Sequence, residues 1–225
     1  MSTVAVFGAS GRTGRRIVDR LADSGRQVLA IGGRRMPPAW RGDHVRFAVA
    51  DLTRSGIADL ASLLENVDAV VFAAAGDPLG VDRDGALRVI EAAERAGARR
   101  FVLVSGMGVG RARPAEYDGG FWDTYFGAKE ASEVGLRASA LDWTILQPGE
   151  LLDGVGAGRV ELAPTGTLPI GAVCRDDVAG VVAAVIDDVD ARGRTWELVE
   201  GPFPISEAVA RMIDEPARAS RRIME

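Results

Sequence analysis

The sequence predicts an α/β fold in which a doubly wound parallel sheet is covered by helices on both faces. Short apolar runs alternate with helical patterns along most of the chain. Several runs are apolar throughout, as in strands that are buried on both faces. A content of 47% apolar and 26% charged residues in a chain of 225 fits one well-buried core. We therefore expect a single domain over residues 1–225, in which 151–225 form a small C-terminal substrate-binding region.

Seven strands are predicted, and six crossover connections join them. The strands cover residues 3–7, 27–31, 45–50, 68–74, 100–104, 142–146 and 195–199. Between them, apolar residues recur at 0, 3, 4 and 7 positions, which is the spacing of one buried helix face. The clearest helical stripes are Gly14, Ile17, Val18 and Leu21; Ala86, Val89, Ile90 and Ala93; and Val178, Val181, Val182 and Val185. The stretch 151–170, rich in Gly and Pro, instead predicts an irregular insertion near the ligand side of the sheet.

The first strand runs directly into a glycine-rich turn that is followed by a helix. The turn reads Gly8-Ala9-Ser10-Gly11-Arg12-Thr13-Gly14. Gly8 would permit a tight turn, Gly11 would let the backbone approach a pyrophosphate, and Gly14 would let the helix pack closely on the sheet. Free amides at the helix start would then bind the anion. This context predicts a Rossmann-type dinucleotide site rather than a purely structural turn, with contacts from Gly8, Ser10, Gly11, Arg12, Thr13 and Gly14.

The end of the second strand indicates which dinucleotide is bound. An NAD enzyme offers an Asp or Glu to the ribose about 20 residues past the glycine fingerprint. Here the strand ends in Gly32-Gly33-Arg34-Arg35, with no carboxylate. Arg34 and Arg35 could hold a 2′-phosphate through forked hydrogen bonds, and Arg12 could join them. The alternative is a solvated basic turn. The sequence therefore favours NADP(H) over NAD(H).

Two further strand ends are expected to border the cofactor. After the third strand, Asp51 and Leu52 could lie at the adenine edge, with Asp51 accepting a hydrogen bond from the adenine amino group. A plain turn carboxylate is the alternative. After the fourth strand, Ala74, Ala75 and Gly76 are small enough for the backbone to lie beside the cofactor.

The chain contains 27 basic residues, and only one of them is a lysine. Lys129 follows Tyr125 by four positions, so on a helix the ammonium and the phenol would share a face. Both groups titrate near pH 10 when isolated. A neighbouring cation stabilises the phenolate, which would make proton exchange by Tyr125 useful at neutral pH. The alternative is that Tyr125 is an aromatic residue at the edge of the core and Lys129 a surface cation.

Taken together, these motifs resemble the short-chain dehydrogenase/reductase superfamily, and within it the atypical branch related to sugar-nucleotide epimerases and NmrA-like proteins. The resemblance rests on the glycine loop, the small residues 73–76, Ser105 after the fifth strand, Tyr125-x-x-x-Lys129, and Pro148-Gly149. It implies that Tyr125 gives a proton to the substrate oxygen and that Lys129 also holds the nicotinamide ribose. It further implies backbone contacts from Pro148 and Gly149 to the nicotinamide.

Ser105 departs from the family pattern, because the expected Ser or Thr often lies one or two positions further along. Ser105 would contact either the substrate or only the cofactor ribose, and both alternatives stay open. Two functions are also open. One is an NADP(H)-dependent oxidoreductase or epimerase-like enzyme acting on a small carbonyl or hydroxyl substrate. The other is an NmrA-like sensor that binds NADP without turnover. The Tyr-x-x-x-Lys pair favours the enzyme.

Composition limits the classes of partner, metal site and cellular location that the sequence supports. A net charge of −5 with scattered basic residues gives no reason to expect nucleic acid as a partner. No apolar run is long enough to predict a membrane span, and none has the flanks of a secretory signal. Cys174 is the single cysteine, and no cluster of ligands suggests a metal. We expect a cytoplasmic protein, monomeric or homodimeric, whose partner is a small-molecule substrate.

Overall fold

The computed structural model describes residues 2–33 and 44–223, with side chains described as far as residue 214. The strands are β1 (Thr3–Phe7), β2 (Gln27–Gly32), β3 (Val45–Val49), β4 (Ala69–Phe72), β5 (Arg100–Val104), β6 (Asp142–Pro148), β7 (Glu150–Leu152), β8 (Arg159–Pro164), β9 (Ala172–Cys174), β10 (Arg194–Glu200) and β11 (Phe203–Pro204). The helices are α1 (Arg12–Asp23), α2 (Ile57–Leu63), α3 (Asp84–Ala96), α4 (Gly120–Ala138), α5 (Arg175–Val185) and α6 (Ile205–Ile223). A π-helical turn, Pro78–Arg83, leads directly into α3. None of the helices in this described part of the chain has the length and apolar character needed to cross a membrane.

Seven parallel strands form most of the main sheet, in the spatial order β3-β2-β1-β4-β5-β6-β10. They are the seven strands that the sequence predicts, and their ends differ from the predicted ones by at most two residues. The predicted parallel α/β sheet is therefore confirmed. At one edge, β8 runs antiparallel to β10, and β11 completes that edge. A separate two-stranded parallel pair is formed by β7 and β9.

The prediction that residues 151–170 form an irregular insertion is wrong. β7 ends inside this stretch and β8 lies wholly within it. Val160 and Leu162 of β8 are buried in the core, so the segment is held by apolar packing as well as by its ladder with β10. The glycines and prolines that suggested irregular structure lie mainly in the turns on either side of β8. Their composition, averaged over the window, concealed a six-residue strand.

Helices cover both faces of the sheet, and the core accordingly has two layers. Val4 and Val6 of β1 pack with residues of α1, α5 and α6. Ala5 and Phe7, which point the other way because side chains alternate along a strand, pack with residues of α2, α3 and α4. The apolar stripes predicted for α1, α3 and α5 are all buried. This arrangement confirms a doubly wound fold.

The strand order reverses between β1 and β4, since β2 and β3 lie on one side of β1 while β4, β5 and β6 lie on the other. Connections leave the carboxyl ends of the two central strands in opposite directions and open a crevice there. Gly8, with φ +80°, begins the loop after β1. A Cβ at this position would lie 2.5 Å from the amide nitrogen of Ala74, so only glycine lets the two loops approach this closely.

Candidate cofactor and substrate site

A cavity of about 730 Å³ lies over the carboxyl ends of β1 to β4, and we call it the switch-point cavity. Its size is within the range of roughly 300–1,000 Å³ that is typical of ligand and cofactor sites. Val81, Leu151 and Arg175 also line it. The sequence-predicted residues that line it are Gly8, Ser10, Gly11, Arg12, Thr13, Asp51, Leu52, Ala74 and Ala75. These nine predicted cofactor contacts are therefore brought together.

The start of α1 forms part of this cavity wall. Gly11 precedes the helix, and no side chain among the described residues caps its first turn. A Cβ on Gly14 would lie 2.1 Å from the carbonyl oxygen of Gly8, so the helix packs on the turn only because position 14 is glycine. The amides of the first turn and the helix dipole then favour an anion at this point. A dinucleotide pyrophosphate fits the glycine cradle.

Asp51 lies at the rim of the cavity, and Thr53 holds its carboxylate. Asp51 Oδ1 accepts hydrogen bonds from the Thr53 hydroxyl at 2.7 Å and from the Thr53 amide at 2.9 Å. These bonds, the hydroxyl first, keep the pKa of Asp51 below its ordinary value. An ionised acceptor held in place suits an adenine amino group, and that contact stays a prediction. Arg34 and Arg35 lie outside the described residues, so the predicted phosphate clamp is supported by the sequence alone.

Three arginines, two from the first two turns of α1 and one from the start of α5, meet at Asp153 beside the switch-point cavity. Asp153 lies 2.7 Å from Arg12, 3.2 Å from Arg175 and 3.6 Å from Arg16, measured between side-chain oxygen and nitrogen atoms. Desolvation raises the pKa of Asp153, but the hydrogen bond and charge of Arg12, with the charges of Arg175 and Arg16, bring the pKa below its ordinary value. Arg12 and Arg175 both line the cavity. Their charge is partly neutralised by a carboxylate of the protein itself.

A second cavity of about 310 Å³ adjoins the first, and we call it the aromatic cavity. Leu151 and Arg175 line both cavities, so the two spaces meet at these residues. Ser105, Pro148 and Gly149, predicted from the sequence, line the aromatic cavity rather than the switch-point cavity. The aromatic residues that line it are Tyr117, Trp122, Tyr125 and Phe126. This position, next to a dinucleotide-sized crevice, is suitable for a substrate.

Tyr125 and Lys129 both lie on α4, as predicted, but they have different surroundings. Tyr125 is half-buried and lines the aromatic cavity, and a Cβ on Gly106 would lie 3.3 Å from its hydroxyl oxygen. Lys129 is buried and lines neither cavity. Its Nζ lies 5.8 Å from the centroid of the Tyr125 ring and 2.7 Å from Oδ1 of Asp82. The alternative in which Lys129 is a surface cation is therefore wrong.

Asp82 connects Lys129 to the loop after β4. It lies in the turn before α3 and is itself buried. Its second oxygen, Oδ2, accepts a hydrogen bond from the amide of Gly76 at 3.0 Å. Gly76 does not line the switch-point cavity, although Ala74 and Ala75 do. The ammonium of Lys129 is thus part of a contact that holds the cofactor-side loop against α4. A contact from Lys129 to the ribose stays a prediction.

Ser105 belongs to a buried polar network behind the aromatic cavity. Its hydroxyl donates to Glu133 at 2.5 Å, and Glu133 also accepts from Gln147 at 3.0 Å and from Arg137 at 2.7 Å. Gln147 in turn accepts a hydrogen bond from Thr165 at 2.7 Å. The Ser105 hydrogen is therefore donated within the protein, while its oxygen lone pairs can still accept. Whether Ser105 contacts substrate or cofactor stays a prediction.

Sequence reasoning did not find Asp82, Asp153 or Arg175. Asp82 lies 47 positions before Lys129, and no spacing rule links such distant residues. Glu133 could have been found, because it follows Lys129 by four positions on the same helix face. In the described part of the chain, no group of three or more His, Cys, Asp or Glu side chains could hold a metal ion.

Comparison with known proteins identifies the family. A family model described as NAD(P)H-binding matches residues 8–189, which include the loops after β1 and β4 at the switch point and all of α4. The chain belongs to this NAD(P)H-binding family. The match, together with the sheet order, confirms the Rossmann fold and the resemblance to the atypical short-chain dehydrogenase/reductases.

Three relatives of this NAD(P)H-binding protein show the range of the family. The uncharacterized sugar epimerase YhfK of Bacillus subtilis is 32% identical over 93% of this chain and 99% of its own length. A (4-alkanoyl-5-oxo-2,5-dihydrofuran-3-yl)methyl phosphate reductase of Streptomyces griseus is 29% identical over 96% of this chain and 75% of its own. A solved structure from Bacillus halodurans, provisionally designated an NAD-dependent epimerase/dehydratase, has a TM-score of 0.83 at 29% identity and covers 94% of this chain and 100% of that one. The family is thus reductase- and epimerase-like.

Proposed function

We propose that this protein is an NADP(H)-dependent reductase that acts on a small carbonyl compound, with Tyr125 as the proton donor. The observation that carries the proposal is the position of the Tyr125 hydroxyl. Tyr125 lines the aromatic cavity with its hydroxyl beside Gly106 of the same wall, and this cavity meets the switch-point cavity at Leu151 and Arg175. A dinucleotide that follows the glycine loop would bring its nicotinamide towards this junction.

Bound NADPH supplies the hydride. The residues of the chain supply the site around it. Pro148 and Gly149 give the aromatic cavity a backbone wall, and a Cβ on Gly149 would lie 2.1 Å from the carbonyl oxygen of Gly171. This close packing supports a fixed wall against which a flat ring can bind. Leu151 lines both cavities and adds an apolar side chain at their junction.

Tyr125 would bind the substrate oxygen through its hydroxyl and give that oxygen a proton as the carbonyl is reduced. The ring is held in place by neighbouring aromatic residues, with Phe121 stacked at 6.0 Å and Trp122 edge-on at 5.9 Å between ring centroids. Lys129, in its ion pair with Asp82, lies outside both cavities, 5.8 Å from the Tyr125 ring centroid, and acts as a positioning residue for α4. A general acid of this kind contributes roughly 10²- to 10⁴-fold to the rate.

The choice of NADP(H) rests on the positive charge around the predicted adenosine end. Arg34 and Arg35 follow the second strand where an NAD enzyme would have a carboxylate, and Arg12 lies in the cavity wall. The test is a binding titration of NADPH and NADH on the native protein and on Arg34→Ala. Equal affinities for the two cofactors, unchanged by the substitution, would defeat the phosphate-clamp argument.

The proton-donor role is tested by measuring NADPH oxidation with a panel of aldehydes and ketones. Tyr125→Phe should lower kcat by about 10²-fold or more, since the ring remains and only the donor is lost. Tyr117→Phe is the matched comparison, because it removes the other tyrosine hydroxyl of the same cavity and should cost far less in kcat. Full turnover by Tyr125→Phe would rule out the phenol as donor.

An NADP-binding sensor without turnover is the second candidate. The observation that favours it is the burial of Lys129 in an ion pair with Asp82, away from both cavities. This contact gives Lys129 a structural use that needs no catalysis. Tight NADPH binding, with no oxidation of NADPH by any compound of the carbonyl panel, would support the sensor.

A further inference from the structure

The guanidinium of Arg113, in the wall of the aromatic cavity, makes only weak polar contacts with the described residues of the protein. Arg113 lines the cavity from the segment between β5 and α4. Its single ion pair among the described residues is to Asp123, at 3.5 Å, and the Asp123 side chain is 61% exposed. The Nε atom of Arg113 is buried and has no hydrogen-bond partner in that part of the chain. Buried donors without partners are rare in proteins and costly.

Arg111, two residues earlier in the same segment, has hydrogen-bond partners for its guanidinium within the protein. Its guanidinium donates to Glu197 at 2.6 Å and to the carbonyl oxygen of Leu168 at 2.7 Å, and Glu197 is fully buried. Arg111 therefore fixes the loop to β10. Within the described residues, Arg113 makes no comparable hydrogen bond to a buried carboxylate or to a backbone oxygen, so its charge is available to a ligand.

The position of Arg113 is set by close packing. Its guanidinium carbon lies 4.4 Å from the centroid of the Phe126 ring. Gly108, with φ +115°, makes room for this stack: a Cβ there would lie 2.7 Å from Phe126 Cε1 and 3.3 Å from Arg113 Cδ. A guanidinium held against a ring in this way can still donate from its terminal Nη groups to a carboxylate or phosphate.

The charge of the cavity wall favours an anion. Two guanidiniums, Arg113 and Arg175, and one carboxylate, Glu150, line it. Glu150 is exposed, whereas Arg175 is nearly buried and already paired with Asp153 at 3.2 Å. Arg113 is therefore the cation that is left to bind a negative group in this space.

The rest of the wall favours a flat, conjugated molecule. Tyr117 meets Trp122 edge-on at 5.0 Å and Phe126 edge-on at 6.2 Å, while Trp122 and Phe126 are stacked at 6.0 Å between centroids. Aromatic surfaces arranged in this way bind rings and conjugated systems through offset and edge contacts. A volume of about 310 Å³ admits a compact molecule of this kind.

We propose that the aromatic cavity takes a conjugated carbonyl compound that carries a carboxylate or a phosphate, and that Arg113 binds this anion. The proposal rests on the proposed function, since it names the substrate class of the same site. The carbonyl oxygen of the substrate binds at Tyr125, and the anionic end binds at Arg113 in the wall formed with Phe126. Arg113 is then a specificity-determining residue.

The test compares three aldehydes that differ only in the group opposite the carbonyl. They are 4-carboxybenzaldehyde, 4-formylphenyl phosphate and the neutral methyl 4-formylbenzoate. Binding to the full chain with NADP⁺ present is measured by titration calorimetry, so the readout does not depend on turnover. At least one anion should bind roughly 10- to 100-fold more tightly than the ester, as charge-assisted hydrogen bonds predict.

Arg113→Gln should remove this preference and leave the affinity for the ester within about twofold, because the ring contacts remain. Arg113→Lys keeps the charge without the fork and should give an intermediate affinity for the anion. The matched control is Arg95→Gln on α3. It removes the same charge from a surface pair with Glu91, away from both cavities, and should not alter binding.

Preference for the carboxylate or for the phosphate, lost in Arg113→Gln and reduced in Arg113→Lys, supports the proposal and identifies the anion. Equal affinity for anions and ester, no saturable anion binding at millimolar concentration, or an anion affinity unchanged by Arg113→Gln would overturn it. The two proposals fail separately. An Arg113-dependent preference without NADPH oxidation would refute the reductase only, and turnover of the ester without any preference for anions would refute the anion site only.

Discussion

Replacing Asp82 with asparagine should destabilise the protein much more than the loss of a surface ion pair would. Asp82 Oδ1 lies 2.7 Å from Lys129 Nζ, and the two side chains are only 1% and 4% exposed. The variant keeps an oxygen for the amide of Gly76 but leaves the ammonium buried without a countercharge. Removing one partner of a buried pair costs about 3–5 kcal/mol. That is a large fraction of a typical total stability of about 5–15 kcal/mol.

Urea unfolding, followed by far-ultraviolet circular dichroism, measures this loss. With an m-value of about 2–3 kcal/mol/M, the midpoint of Asp82→Asn should fall by about 1–2.5 M. The control is Arg95→Gln, which breaks an exposed pair with Glu91 and should change the unfolding free energy by only about 0–0.5 kcal/mol.

The double variant Asp82→Asn/Lys129→Met should recover most of the lost stability, since neither charge is then left unpaired. This recovery would show that the loss of stability has an electrostatic cause. If the cause were a loss of packing, the second substitution would only increase the loss. A single-variant loss below about 1 kcal/mol, the value of a surface pair, would refute the reasoning. A double variant that is no more stable than Asp82→Asn would refute it as well.

Three further predictions concern Asp153 and the glycine loop. Asp153→Asn should raise NADPH affinity by up to about fivefold, most at low salt, because Arg12 is freed from its carboxylate partner. The pKa of Asp153 is lowered in the folded protein, so its ion pairs stabilise the fold above the ordinary carboxyl pKa, and this stabilisation is lost as the pH falls through the lowered value. Thermal melting of the native protein and of Asp153→Asn across acid pH measures this loss. Gly14→Ala should abolish NADPH binding or folding, since its Cβ would lie 2.1 Å from the Gly8 oxygen. Gly127→Ala, with open space around its Cβ, should instead stabilise the folded protein by up to about 1 kcal/mol. Calorimetry measures NADPH binding and urea unfolding measures stability for both variants.

The parts of the fold that follow from local pattern could be predicted from the sequence. Buried parallel strands are apolar throughout and the crossover helices carry one apolar stripe, so each element leaves its own signal. The stripe of α1 at Ile17, Val18 and Leu21 is buried as its spacing predicts. β8 was missed because a six-residue strand between glycine-rich turns leaves too little pattern, and its place in the sheet depends on pairing with β10.

The residues of the candidate site also fall into two groups, those that a local sequence pattern reveals and those that it does not. The glycine loop could be recognised because a strand, three glycines and a helix follow one another within one short segment. Arg175 and Asp153 could not be found, because their importance comes from meeting Arg12 in space, at sequence separations that no local rule covers. Arg113 was also missed, since an arginine in an Arg-rich loop looks like a solvated charge until its contact with Phe126 is seen.

Lys129 shows how a sequence signal can be correct while its cause is hidden. A position that uses the only lysine among 27 basic residues needs something that arginine does not provide. The structure supplies a physical reason. In the buried space beside Lys129 Nζ, a carboxylate oxygen of Asp82 lies 2.7 Å away, which suits a compact ammonium, whereas a guanidinium would bring five donors that all need acceptors. The requirement for lysine therefore follows from burial and from a partner 47 positions away, and it holds whether or not the neighbouring phenol carries out proton transfer.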